Sequence, residues 1–343
     1  MAASRGHRAP RRRSAGSRGH TPRLRPLALE GVTTYPLASR TSKVTRADLA
    51  RPHRHGARFA SFIESLPKIL AADTLRELRD AVLTARRRRR PIVWGLGAHV
   101  IKVGLAPVLV DLMRRGLVSG IALNGAGIVH DFELAVSGAT SEDVPAGLAD
   151  GAFGMARETG EELGNAIRRG DRDGLGLGAS IGRYLAERRP RPPHLELSLL
   201  AASWRLGLPA TVHVAIGTDI VHVHPACDPA ALGRATHLDF RLLAAEVARL
   251  GGGGVYLNVG SAVVLPEVFL KALTLARNLG HRVTGFSTAN LDFIQGYRPG
   301  VNVVERPVAG HGRGFRLTGH HEILVPLLAA MLVEAAGGRG TRR

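Results

Sequence analysis

Cysteine is almost absent: Cys227 stands alone in 343 residues. One thiol cannot form an internal disulfide, and a chain of this size without one fits a reducing compartment. The expectation is a soluble, cytoplasmic protein. Long apolar runs are missing as well. The longest, Ile323 to Val333, contains Pro326 and falls short of the roughly 20 residues that span a bilayer. No apolar stretch near the beginning reads as an export signal. Neither HExxH nor paired-cysteine spacing occurs, so the common zinc patterns are excluded. The opening stretch, MAASRGHRAPRRRSAGSRGHTPRLRP, has almost no large apolar residues. It cannot build a core and is expected to be disordered.

Charge is present but unevenly placed. The formal net charge is +19, and residues 1–90 hold 22 Lys or Arg against 6 Asp or Glu. Residues 91–336 hold 22 of each, and the last seven residues add three Arg. The basic character therefore belongs to the ends. The tail is open to three readings: a solvated extension, a start assigned too early, or a loose contact with anionic surfaces such as nucleic-acid phosphates. We divide the chain into a basic tail (1–58), a single α/β domain (59–336) and a short basic end (337–343).

Apolar residues recur at helical spacing from about 59 to 85, and the run Arg86 to Arg90 follows at a helix C-terminus. From Pro91 onward, short apolar strands alternate with helices. Strands are expected at PIVW, LVSGIALN, PATVHVAIG, GVYLNV, RVTGFST and VNVVERP; the last helix is expected at His321–Ala335. This alternation predicts a Rossmann-like, doubly wound, mostly parallel sheet covered on both faces. Ligands of such folds bind outside the carboxyl ends of the strands. The strand-end segments are expected at Gly95–His99, Asn124–Asp131, Gly217–His224, Asn258–Ala262, Ser287–Asn290 and Gly319–Glu322.

Two of these are glycine loops that open a helix, where backbone N–H groups and the helix dipole favour a phosphate. Gly97 sits in the first, but Val100 stands where the dinucleotide fingerprint needs its third glycine. In the second, Gly125, Ala126 and Gly127 precede His130 and Asp131. Asp131 is the candidate partner of a ribose hydroxyl, and His130 either transfers a proton or merely begins a helix. His222 and His224, with His213 and Asp219 near them, admit a metal reading. His320, His321 and Glu322 either start the last helix or face a ligand.

In order, these segments resemble the deoxyhypusine synthase family. IVWGLGAHVIKVGL, IALNGAGIVHDFE, PATVHVAIGTDI, GVYLNVGSAVV, and FSTAN with HHEILVPLL carry the likeness. The resemblance implies a homotetramer that binds NAD and handles a polyamine through a lysine imine. It implies cofactor contacts at His99, Ala126, Gly127, Asp131, Asp219, Gly260, Ser261, Thr288, Ala289 and His320, to which the glycine loops add Gly97 and Gly125. His130, Asp131, Glu267 and His320 are the candidate acid–base residues. The sequence departs where the family places its lysine: Val304-Glu305-Arg306-Pro307 stands there, and no lysine follows Lys271. A guanidinium stays protonated and forms no imine, which argues against hypusine formation by the family's route.

The leading expectation is thus an NAD-binding transferase or oxidoreductase for a small amine or polyamine-like substrate, with no metal. The alternatives are a metal-assisted hydrolase using the histidines, and a nucleotide-binding regulatory protein without turnover.

Overall fold

The computed structural model describes residues 24–337. The expected disorder of residues 1–23 and 338–343 lies outside the described residues. The chain divides into two compact units, Met1–Lys43 and Val44–Arg343. Within the first, residues 24–43 are exposed and hold one 3-10 turn, Leu37–Ser39. The second begins earlier than the expected residue 59. The Arg51 amide donates to the Ser65 carbonyl (2.8 Å) and the Lys68 amide to that of Asp48 (3.0 Å), which ties residues 48–51 to the end of the helix Phe59–Ser65 and the turn after it.

Six strands form one parallel sheet: β1 (Ile92–Leu96), β2 (Gly120–Asn124), β3 (Ala210–His213), β4 (Val255–Val259), β5 (Ser287–Asp292) and β6 (Arg313–Thr318). Their spatial order is β3-β2-β1-β4-β5-β6. Every pair is parallel, with Trp94 opposite both Ile121 and Leu257. This is the doubly wound order in which β1 and β4 flank the topological switch point.

Side-chain alternation along each strand feeds two cores. Trp94, Leu96, Ile121, Leu257 and Val259 pack against the helices Leu70–Arg87, Ala106–Arg114 and His321–Ala335. Val93, Ala122 and Tyr256 face the other way, toward the helices Pro229–Ala248 and Val264–Asn278. Burial on both faces explains why β1 reads as an apolar run and β4 as one broken only by Asn258.

Two strand expectations are corrected. VNVVERP is not a strand: Gly300–Glu305 winds as a π-turn and Arg306–Val308 as a 3-10 turn. Its valines favour a strand intrinsically, but packing of Val303 and Val304 in a coiled segment overrides propensity. The sixth strand is Arg313–Thr318, an edge strand that buries Phe315 and Leu317 while exposing its arginines. β5 begins at Ser287 rather than 282 and runs to Asp292. The first helical region breaks at Pro67 into Phe59–Ser65 and Leu70–Arg87, and the helical stretch after β1 breaks at Gly104, whose φ is +82°, into Ala98–Lys102 and Ala106–Arg114.

Candidate functional site

At the switch point the two central loops touch each other. The Gly97 amide donates to the Val259 carbonyl (2.8 Å), and any Cβ on Gly97 would overlap the Gly260 carbonyl oxygen. Gly260 itself turns left-handed, with φ +68°. His321, first residue of the closing helix, is buried beneath this loop. Its Nε2 lies 3.2 Å from the Leu291 carbonyl, which only accepts, so Nε2 carries the proton. Asp292 Oδ1 lies 3.7 Å from the same nitrogen, and Nδ1 has no hydrogen-bond partner among the described residues. His99 is exposed and meets the His321 ring edge-on at 5.8 Å. His320 is exposed and lies parallel to Phe293 at 5.9 Å. Ser261 accepts the Leu265 amide (3.2 Å) and so caps the helix that follows β4.

The second glycine loop serves a different neighbour. The space beside Gly125 is filled by the Asp219 carboxylate. That carboxylate accepts the amides of Ala215 (2.8 Å) and Ala126, and so neutralises the start of the helix Gly125–Ser137. Burial raises its pKa. The place expected to hold a phosphate beside Gly125–Gly127 is thus held by the chain's own anion. Asn124, the last residue of β2, keeps a buried Oδ1 with no partner among the described residues.

Asp131 does not face a ribose. It is fully buried and accepts Ser198 Oγ–H (2.6 Å) and the Leu199 amide (2.6 Å). Ser198 in turn caps the helix Leu199–Leu206. Burial raises the Asp131 pKa to about 6, while these donors pull it down. Its position on the buried face of its own helix turns an expected cofactor contact into a cap.

His130, one residue earlier, points elsewhere. It lines a cleft of about 210 Å³ with Lys102, Ala126, Glu133, Ser141, Glu142 and Asp219 among its walls. Its Nδ1 lies 2.7 Å from Thr140 Oγ1, and Thr140 donates its single proton to Glu133 Oε2 (2.5 Å). The Thr140 oxygen must then accept from Nδ1–H, which leaves Nε2 as a lone pair. Thr159 donates to the other Glu133 oxygen (3.1 Å). Burial, and then the Lys102 ammonium, lower the His130 pKa to about 4, so the ring is neutral at ordinary pH. Ser141 holds a positive φ of +76°, uncommon for a residue with a side chain. That turn lies between Thr140, bonded to Glu133, and Glu142, which accepts the Gly154 amide (3.1 Å).

Other expected site residues lie apart. Thr288 and Ala289 are buried inside β5, paired with Tyr256 and Leu257, well before its carboxyl end at Asp292. Glu267 is bound by Lys271, by Asn302 (2.8 Å) and by Arg298 (3.4 Å), which fixes the π-turn instead of joining the cleft. Lys271 and Arg298 hold its carboxyl below the usual range. His222 belongs to a 3-10 turn, with Nδ1 near the Asp219 carbonyl (2.9 Å), and His224 Nδ1 accepts the Ala226 amide (3.1 Å). Among the described residues no three His, Cys, Asp or Glu side chains gather around a metal position. Sequence reasoning passed over Glu133, Thr140 and Glu142 because their partners lie on other segments; Asn124 was legible as the terminal residue of β2.

No family model matches the chain, and no curated protein matches it in sequence. Solved structures do. A conserved protein of Methanococcus maripaludis, provisionally named LOR/SDH, is 12% identical with a TM-score of 0.51; 78% of this chain and 71% of that one are covered. A provisionally named deoxyhypusine synthase of Entamoeba histolytica is 9% identical, TM-score 0.49, with 82% and 95% covered. ArgZ, a cyanobacterial arginine dihydrolase, is 17% identical, TM-score 0.48; 78% of this chain is covered but only 33% of ArgZ, so the match spans about a third of that protein. At such identities the likeness shows the fold, an α/β Rossmann-like architecture, and nothing finer. No helix among the described residues is long and apolar enough to cross a membrane.

Proposed function

We propose that this chain is an NAD-binding enzyme, a transferase or oxidoreductase, acting on a small amine-bearing substrate. The observation that carries the proposal is the cleft. A neutral imidazole and the carboxylates of Glu133, Glu142 and Asp219 share it, on the helix that leaves β2, the turn that follows this helix and the loop that leaves β3. These acceptors suit an ammonium group, which has donors only. The switch-point order, together with two polar atoms lacking partners among the described residues, Asn124 Oδ1 and His321 Nδ1, suits a dinucleotide, which carries both donors and acceptors. Asn124 and His321 would hold the nucleotide outside the strand ends, beside the Gly97 and Gly260 loops; bound NAD would supply hydride acceptance. The chain's own residues orient the amine against Glu133, Glu142 and Asp219 and offer His130 Nε2 to its N–H group.

The imine route of the deoxyhypusine synthases does not transfer, because Arg306 is tied to Asn302 Oδ1 (3.0 Å) in a helical turn and no lysine stands there. Homotetramer formation and a cytoplasmic setting stay within the same proposal. The exposed apolar side chains of Phe293, Ile294, Tyr297 and Ile323 would be buried by such an assembly.

The test is direct. Mass spectrometry of the denatured protein reads any bound nucleotide, and calorimetry reads NAD binding to protein freed of it. Asn124→Ala and His321→Ala are each expected to weaken NAD by roughly tenfold, the scale of one lost hydrogen bond in a closed site. No nucleotide, no heat and no thermal shift with NAD would overturn the nucleotide part of the proposal.

A further inference from the structure

We propose that the ligand of the His130 cleft is a zwitterion, an ammonium and a carboxylate on one small molecule, as in a free amino acid. This rests on the proposal that the cleft is the substrate site, and it names which amine enters. The walls carry both signs. Glu133, Glu142 and Asp219 stand with the bare Nε2 of His130, and Lys102 lines the same cleft. Each carboxylate already accepts a hydrogen bond from the chain, from Thr140 and Thr159, from Gly154, and from Ala215. They are thereby fixed in place and keep lone pairs free for further donors. A diamine satisfies these acceptors but places nothing against Lys102.

Composition singles out Lys102 independently. The chain has 47 Lys plus Arg, and only Lys43, Lys68, Lys102 and Lys271 are lysines. Of these, Lys271 is paired with Glu267, and Lys102 is in the cleft wall. Lys102 forms no ion pair among the described residues, although three carboxylates share its cleft. Its ammonium instead presses on His130. Lys102 is exposed, and a ligand carboxylate in the cleft would pair with its ammonium. A cleft of about 210 Å³ has room for one small amino acid.

His130 is then the acceptor that touches the ligand ammonium, while Thr140 and Glu133 are positioning residues that set its tautomer. The titratable walls of the cleft are Lys102, His130, Glu133, Glu142 and Asp219.

Matched pairs decide the matter: L-ornithine against 1,4-diaminobutane, and L-lysine against 1,5-diaminopentane, titrated calorimetrically into the full chain without nucleotide. Each pair differs only in the carboxylate. The amino acids are expected to bind roughly five- to tenfold tighter than their diamines, the scale of one charge-assisted pair in a half-open cleft. Lys102→Met is expected to erase that preference. Equal binding of the paired ligands, an unchanged preference in Lys102→Met, or no binding of any of them overturns the proposal. The imidazole is read separately by nitrogen-15 spectra of histidine-labelled protein, with His130→Asn as the assignment standard. Nε2 is expected unprotonated at neutral pH, shifting when ornithine binds, and Thr140→Val is expected to mix the tautomers. A protonated Nε2, or a spectrum indifferent to ornithine, counts against it. Because NAD is absent throughout, failure of nucleotide binding leaves these readings intact, and failure here leaves the nucleotide test untouched.

Discussion

Gly95–His99 and Asn124–Gly127 look alike as sequence, each a strand end with glycines opening a helix, yet they spend their glycines differently. In the first, the missing Cβ of Gly97 admits the main chain of Gly260. In the second, the missing Cβ of Gly125 admits the side chain of Asp219. A glycine reports that something approaches the backbone closely and does not say what. Here both occupants are internal. What remains without a partner among the described residues is His321 Nδ1 beside the first loop and Asn124 Oδ1 beside the second, where the His130 cleft opens.

The largest expected effect tests the first loop. Gly97→Ala should destabilise the protein by about 3 kcal/mol or more, because a carbonyl in the central strands cannot move aside. Gly125→Ala should cost less, about 1–2 kcal/mol, since a carboxylate can rotate away. Its loss should shrink in the double variant with Asp219→Ala, and denaturant unfolding of the cycle reads that coupling. If the two single losses match, or the second pair is additive, the contrast between backbone and side-chain occupants is wrong.

Next comes the neighbour that looked functional. Asp131→Ala strips the cap from Ser198 and Leu199 and should cost on the order of 2–3 kcal/mol. Asp131→Asn should retain part of this and remove the titration. The native carboxyl is raised to about 6 from 3.8, so its protonated form favours the fold. That contribution is present below pH 3.8 and lost as pH rises through about 6. Stability of the Asn variant should therefore fall less between those values.

The smallest effect has the opposite sign. His130 is lowered to about 4 from 6.5, so its contribution is present above pH 6.5 and lost as pH falls through about 4. His130→Asn should flatten that acid-side loss, measured as midpoint against pH. A variant that steepens it would place a charged imidazole in the cleft and undo the tautomer assignment.

Much of the fold was legible. Buried parallel strands need apolar runs, so β1, β2 and β4 were readable; the closing helix ran from His321 to Ala335 as expected. β5 and β6 were not, because their polar residues are satisfied by distant partners. Asn290, for instance, accepts from Asn258 (2.7 Å) and donates to Gln295 (2.9 Å). The same limit governed the site. His130 and Asp131 are adjacent in sequence, but a helix turns successive side chains about 100° apart, which sends one to the cleft and the other to the core.

Local chemistry, then, was determined by sequence alone: the alternation of strands and helices, the neutral folded part beside basic ends, and the absence of a lysine near Val304–Pro307. Tertiary structure alone decided which polar groups are already satisfied. Satisfaction depends on atoms brought close from Ser198, Thr140 or Asp219, and no spacing along the chain records their approach. That is why Asp131 became a cap, Asp219 took the helix start, and His130 kept a lone pair to offer.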